Sequence, residues 1–136
     1  MSGLAAVIIA DDLTGALDSS APFATLGLTA VTAVSPEGLA LALAAGAQVV
    51  AVNLCTRELG PDEAQARATA AAMMLLPFTG PDTLWLKKID SRLKGSVGAE
   101  TAGVASVMHP DRVLLCPAIP AIITWPGWSI YLVLMK

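Results

Sequence analysis

Charge is scarce in this chain of 136 residues: only 14% are Asp, Glu, Lys or Arg, and the net charge is −3. That balance lacks the basic footprint of a non-specific nucleic-acid binder. Aromatic residues are equally few, at 4%. The two cysteines, Cys55 and Cys116, lie far apart with no CxxC spacing, which excludes a zinc site and a disulfide framework. They read as two buried thiols in a reducing compartment. The single histidine, His109, stands in a Met-His-Pro-Asp turn and reads as a surface residue rather than a catalytic base. Met1 to Ala10 has no basic stretch before its apolar run, and that run stops at Asp11, so a secretory signal is absent. Together these absences point to a cytoplasmic protein.

What the chain has in abundance is aliphatic side chains: 55% of residues are apolar, enough for a real core and too many for long disorder. Short apolar runs alternate with Ala-rich stretches of helical spacing. Ala5 to Ala10, Leu28 to Val34, Gln48 to Leu54, Thr83 to Ile89 and Arg112 to Cys116 read as strands. Between them Leu13 to Leu26, Ser35 to Ala45, Pro61 to Leu76 and Ser96 to Met108 read as helices, with Ser35 and Ser96 as caps. Leu13, Ala16, Leu17, Ala21 and Ala24 are spaced to form the buried face of the first helix, and Pro22 interrupts it. Met73 and Met74 read as core. Strict strand–helix alternation implies an α/β fold: a Rossmann-like, three-layer parallel sheet of about five strands with helices on both faces. Val113 to Met135 carries no charge and is long enough to cross a bilayer, but Pro117, Pro120 and Pro126 interrupt it. It reads as a strand, a loop and an atypical tail with no membrane partner, a membrane span over 113–135 being the alternative.

In such sheets ligands gather beyond the carboxyl ends of the strands, and the scarce charge falls there. Asp11 and Asp12 follow the first strand. Asn53, Thr56 and Arg57 follow the third. Asp90, Ser91 and Lys94 follow the fourth. One aspartate before a helix is adequately explained as a cap; two adjacent ones in Asp11-Asp12-Leu13-Thr14-Gly15 can also accept hydrogen bonds from a ligand's hydroxyls. A haloacid-dehalogenase-like phosphatase needs aspartates two residues apart after its first strand, and Leu13 and Thr14 occupy those places. The second cluster runs from Lys87 to Glu100 and holds four of the eight basic residues. Strand alternation sends Lys87 and Lys88 to opposite faces, and Lys88, nearer the loop, is the one placed to join a site. Gly95 and Ser96 precede a helix start, where backbone N–H groups attract anions. Neither GxxxxGK[ST] nor GxGxxG is present, so no nucleotide cradle is visible.

Val7-Ile8-Ile9-Ala10-Asp11-Asp12-Leu13-Thr14-Gly15-Ala16, followed some seventy residues later by Lys87-Lys88-Ile89-Asp90-Ser91-Arg92-Leu93-Lys94-Gly95-Ser96, resembles the N-terminal domain of the four-carbon acid sugar kinase family. Asn53 to Arg57 and Pro117 to Ala121 resemble two further landmarks of that family, so the likeness covers about residues 4 to 121. The resemblance implies ATP-dependent phosphorylation of a hydroxyl on a threonate- or erythronate-like acid, with the acid held by this domain. ATP and Mg²⁺ would be held by a separate C-terminal nucleotide-binding domain, and no cofactor by this chain alone. It also implies that Asp11, Asp12, Arg57, Lys88, Asp90, Ser91 and Lys94 line the sugar-acid pocket. The chain departs from the family at Arg92, Lys94 and Ser96, where Thr, Arg and Asn are usual. After Ala121 the likeness ends, so residues 1–121 form the expected domain and 122–136 an atypical tail. A truncated or frameshifted product, inactive by itself, is the expectation, with a non-catalytic acid-binding remnant as the first alternative and a haloacid-dehalogenase-like phosphatase as the second.

Overall fold

The structure is a computed structural model and describes residues 3–90, 92–116 and 130–135. Its first half follows from the apolar runs. β1 (Ala6–Ala10) is buried along its whole length, and β3 (Val49–Asn53) likewise. Such strands, covered on both faces, form the middle of a parallel sheet. β1 pairs in parallel with β3 on one side and with β4 (Leu84–Ile89) on the other, and β2 (Ala30–Ala33) pairs in parallel with β3. The order is β2-β3-β1-β4-β6-β5.

Side-chain alternation splits the core into two layers. Val7, Ile9, Val50, Val52, Trp85 and Ile89 face α2 (Leu39–Ala44), α3 (Pro61–Leu75) and α4 (Val97–Met108). Ala6, Ile8, Ala10, Val49 and Ala51 face α1 (Leu13–Thr25), where the layer is thinner and made mostly of alanine. The three-layer α/β fold with helices on both faces is therefore present. Each buried Val or Ile contributes about 2 kcal/mol of hydrophobic stabilisation, so β1 and β3 dominate the core.

Several local expectations need correction. The sheet is mixed and has six strands, not five parallel ones: β6 (Ile130–Met135) lies antiparallel between β4 and β5 (Arg112–Cys116). The apolar tail thus holds a strand inserted between β4 and β5, and no helix among the described residues is long and apolar enough to cross a membrane. Pro117 to Ala121 lies outside the described residues.

In α1 the buried residues are Gly15, Ala16, Ser19 and Ser20, while Leu17 is 48% exposed. The helix is turned away from its most apolar face because Asp12 and Gly15 must meet the ends of β1 and β4; the Ser20 hydroxyl is accommodated by Leu17 O and Thr32 Oγ1, each at 3.1 Å. Pro22 sits inside α1 without ending it. Met73 is 62% exposed and Met74 is also exposed, because α3 contacts its neighbours through Ala64, Ala68, Ala71 and Ala72. That small-residue face lets α4 come close: a Cβ at Gly103 would stand 2.7 Å from Gln65 O and 2.8 Å from Thr69 Oγ1. Ser35 and Ser96 hold cap positions but make no side-chain cap hydrogen bond. His109 ends α4 in a left-handed conformation and is exposed.

Candidate functional site

The chain crosses from β3 over β1 to β4, so the strand order reverses at β1, the place beyond which sheets of this kind bind their ligands. The register brings the three ends level: Ala10 stands opposite Asn53 in β3 and opposite Lys88 in β4. Asp11, the residues after Asn53, and Asp90 therefore emerge on one rim.

The segment after β3 is folded back over the end of β1. Leu54 N donates to Ala10 O (2.8 Å), and Thr56 N and Arg57 N both donate to Asp11 O (3.1 and 3.3 Å). Cys55 makes the turn with φ 54°, supported by its N–H donating to Asn53 Oδ1 at 2.9 Å. A left-handed non-glycine residue stores strain that surrounding bonds must hold. The same turn leaves Cys55 exposed, contrary to the expected buried thiol.

Arg57 is thereby placed at the centre of three carboxylates. Its Nε and Nη2 donate to Asp11 Oδ2 and Oδ1 at 3.0 and 3.1 Å, a bidentate fork. Its Nη1 lies 2.8 Å from Asp12 Oδ2, and Nη2 lies 3.6 Å from Asp90 Oδ1. Asp11 is only 3% exposed. Its hydrogen bonds, outweighing the cost of burial, raise the guanidinium pKa further, with Asp12 and Asp90 adding to the effect.

Each aspartate is also held from its other side. Asp12 is the cap of α1, its Oδ1 accepting from Gly15 N at 2.9 Å. The cap role and the ion pair thus use different oxygens of one carboxylate. Asp90 Oδ2 accepts from Arg92 N (2.8 Å) and Lys94 N (3.3 Å). Burial alone would raise the Asp90 pKa, but those two N–H groups, Arg57 and Lys94 outweigh it and hold the carboxyl below its ordinary value. Leu93 (φ 58°) and Gly95 (φ 81°) then turn the chain back toward Asp11. At Gly95 a Cβ would stand 3.1 Å from Asp11 Oδ2, so glycine meets both a left-handed φ and a close approach.

Lys87 and Lys88 part company as alternation requires. Lys88 is buried on the α1 side, its stem beside Gly15, its Nζ donating to Ile89 O at 2.6 Å. Burial lowers its pKa, while Asp11 and Asp12 pull the other way. Lys87 enters the opposite layer, where its Nζ lies 2.6 Å from Glu100 Oε2 and donates to Lys88 O at 2.8 Å. Glu100 Oε1 accepts from Thr56 Oγ1 at 2.5 Å. Sequence reasoning missed this buried triad; the signal was an acid in the first turn of an otherwise apolar helix, opposite a lysine on a core-facing strand position. Lys94 and Arg92 are exposed at the rim, and Ser91 lies outside the described residues.

The rim thus brings three carboxylates, an arginine and Lys88 together at the strand-order reversal. The family model of a sugar-binding N-terminal domain matches residues 6–122. The chain belongs to this family. The sugar-binding domain is 37% identical over 117 residues to a D-threonate kinase of Cupriavidus necator, covering 85% of this chain and 26% of that protein. It is 32% identical over 112 residues to a D-erythronate kinase of Heliobacterium modesticaldum, covering 82% and 25%. Among solved structures it resembles a domain of unknown function from Bordetella bronchiseptica, crystallised with bound citrate as a domain-swapped dimer. The TM-score is 0.68 at 29% identity, over 78% of this chain and 27% of that one. The chain thus spans about a quarter of the length of the relatives it matches.

Proposed function

We propose that this domain binds a four-carbon sugar acid of the threonate or erythronate kind, as the acceptor of an ATP-dependent phosphoryl transfer. The observation that carries the reading is the clustering of Asp11, Asp12 and Asp90 on Arg57 at the strand-order reversal. A carboxylate oxygen accepts more than one hydrogen bond, so the aspartates can take sugar hydroxyls while remaining paired with Arg57. Arg57 is engaged by carboxylates of its own protein; in this reading it orients them, and does not itself grip the substrate. The substrate's carboxylate falls to Lys88, Lys94 and the loop containing Ser91, where charge-assisted bonds favour an anion. The relatives' names support the substrate class, and citrate in the related crystal structure is likewise a hydroxy acid.

ATP would supply the phosphoryl group in the complete kinase, and Mg²⁺ would shield its charge. Among the described residues no three His, Cys, Asp or Glu side chains are grouped to hold a metal ion. In this reading both cofactors are held by a separate nucleotide-binding domain of the complete kinase.

Isothermal titration with D-threonate, D-erythronate and the uncharged polyols threitol and erythritol tests the reading. At least one acid binds saturably and the polyols do not. Absence of saturable binding by either acid, or equal binding of the polyols, refutes it.

A further inference from the structure

We infer that Glu100 is a positioning residue for the rim: through Thr56 it fixes the turn that carries Arg57, and through Lys87 it ties that turn to β4. The functional meaning rests on the sugar-acid reading above; the structural claim does not.

Glu100 and Lys87 are each 1% exposed and Thr56 is fully buried. Lys87 sits on the same face as Trp85 and Ile89, an apolar layer that would accept a leucine or methionine. A buried ion pair is weak as a source of stability, since apolar residues of like volume generally do as well. What the pair does offer is geometry. The three members of the Thr56–Glu100–Lys87 triad come from three separate pieces of chain: the turn after β3, the strand β4, and the first turn of α4. Each is adjacent to a residue of the rim. Thr56 precedes Arg57. Lys87 precedes Lys88, whose carbonyl also accepts from the Lys87 ammonium. The N-terminus of α4 follows Gly95, where a Cβ would stand 3.1 Å from Asp11 Oδ2 and 3.6 Å from Arg57 Cα. The strained Cys55 turn needs an anchor on its far side, and the Thr56 hydroxyl bond is one.

Glu100→Gln leaves the Lys87 ammonium without its counter-charge and risks unfolding, so the deciding variants are Thr56→Val and Thr56→Ser. The first readout is the Nε–H resonance of Arg57 in ¹⁵N-labelled protein, which the hydrogen bond to Asp11 protects from solvent exchange. The second is affinity for D-threonate. In folded T56V, Nε–H protection and D-threonate affinity each fall about tenfold, the scale of one charge-assisted hydrogen bond. T56S, which keeps the hydroxyl, restores both to within about twofold of the parent on the same scale. Unchanged Arg57 protection in T56V, or failure of T56S to restore it, overturns the inference. Should the parent bind neither D-threonate nor D-erythronate, the sugar-acid reading fails and the Arg57 resonance still decides this one.

Discussion

Replacing Arg57 with alanine removes the guanidinium that is paired with Asp11, Asp12 and Asp90 together. Asp12 and Asp90 keep partial exposure and their backbone N–H donors, so their loss is modest. Asp11 is nearly fully buried and loses a bidentate partner, which is the expensive part. Breaking such a pair costs about 3 kcal/mol. At about 4 °C per kcal/mol for a domain of this size, the melting temperature falls by about 12 °C. The check is thermal unfolding by circular dichroism at neutral pH, with Asp11→Asn and the double variant completing a cycle whose coupling is about 2 kcal/mol. The acid dependence adds a second test. Asp90 has its pKa lowered in the folded state, so it stabilises fully above its ordinary value of 3.8, and that contribution is lost as pH falls through the lowered value. Arg57 is one cause of the lowering, so R57A loses less stability on acidification than the parent. A fall below about 3 °C, on the same scale, would sink the idea that Arg57 holds the rim together. So would additive effects of R57A and D11N.

Two further outcomes follow from packing and burial. Gly103→Ala places a Cβ 2.7 Å from the Gln65 carbonyl, forcing α3 and α4 apart; stability falls by about 2 kcal/mol in denaturant unfolding, with D-threonate affinity of the folded protein unchanged. Lys88, with its pKa lowered by burial, carries a desolvation penalty wherever it is charged in both folded and unfolded chains. That penalty fades as pH rises from the lowered value to the ordinary 10.5. Lys88→Met is therefore more stable than the parent at neutral pH, and the advantage disappears above about pH 10.5 in pH-dependent melts.

Strand and helix positions were legible because each apolar run has the length and flanks of its element, and Gly27, Gly46 and Pro61 punctuate them. The common rim of Asp11, Arg57 and Asp90 was also legible, since parallel strands send their carboxyl ends one way. Orientation within elements was not. Apolar spacing pointed Leu13 and Leu17 inward, but a helix pinned at Asp12 and Gly15 buries whichever face those two residues dictate. Met73 and Met74 were misread because an alanine face gives closer helix packing than a methionine face. The role of Arg57 as a clamp for three aspartates, and the Thr56–Glu100–Lys87 triad, depend on distances between remote segments that no spacing rule encodes. β6 was invisible because its partners, β4 and β5, lie on either side of it only in space.

The adjacent lysines of β4 have a consequence for how the strand finds its place. Lys87 and Lys88 are chemically identical yet serve opposite layers, so a slip of one residue against β1 would still deliver a lysine either to Glu100 or to the aspartates. Electrostatics alone is thus nearly blind to that error. The discrimination falls to Trp85, whose indole fits among the larger side chains facing α3 and α4 and would meet the tight alanine layer under α1 if the strand slipped. An aromatic residue five positions from the nearest rim carboxylate therefore acts as the proofreader of which lysine enters the site.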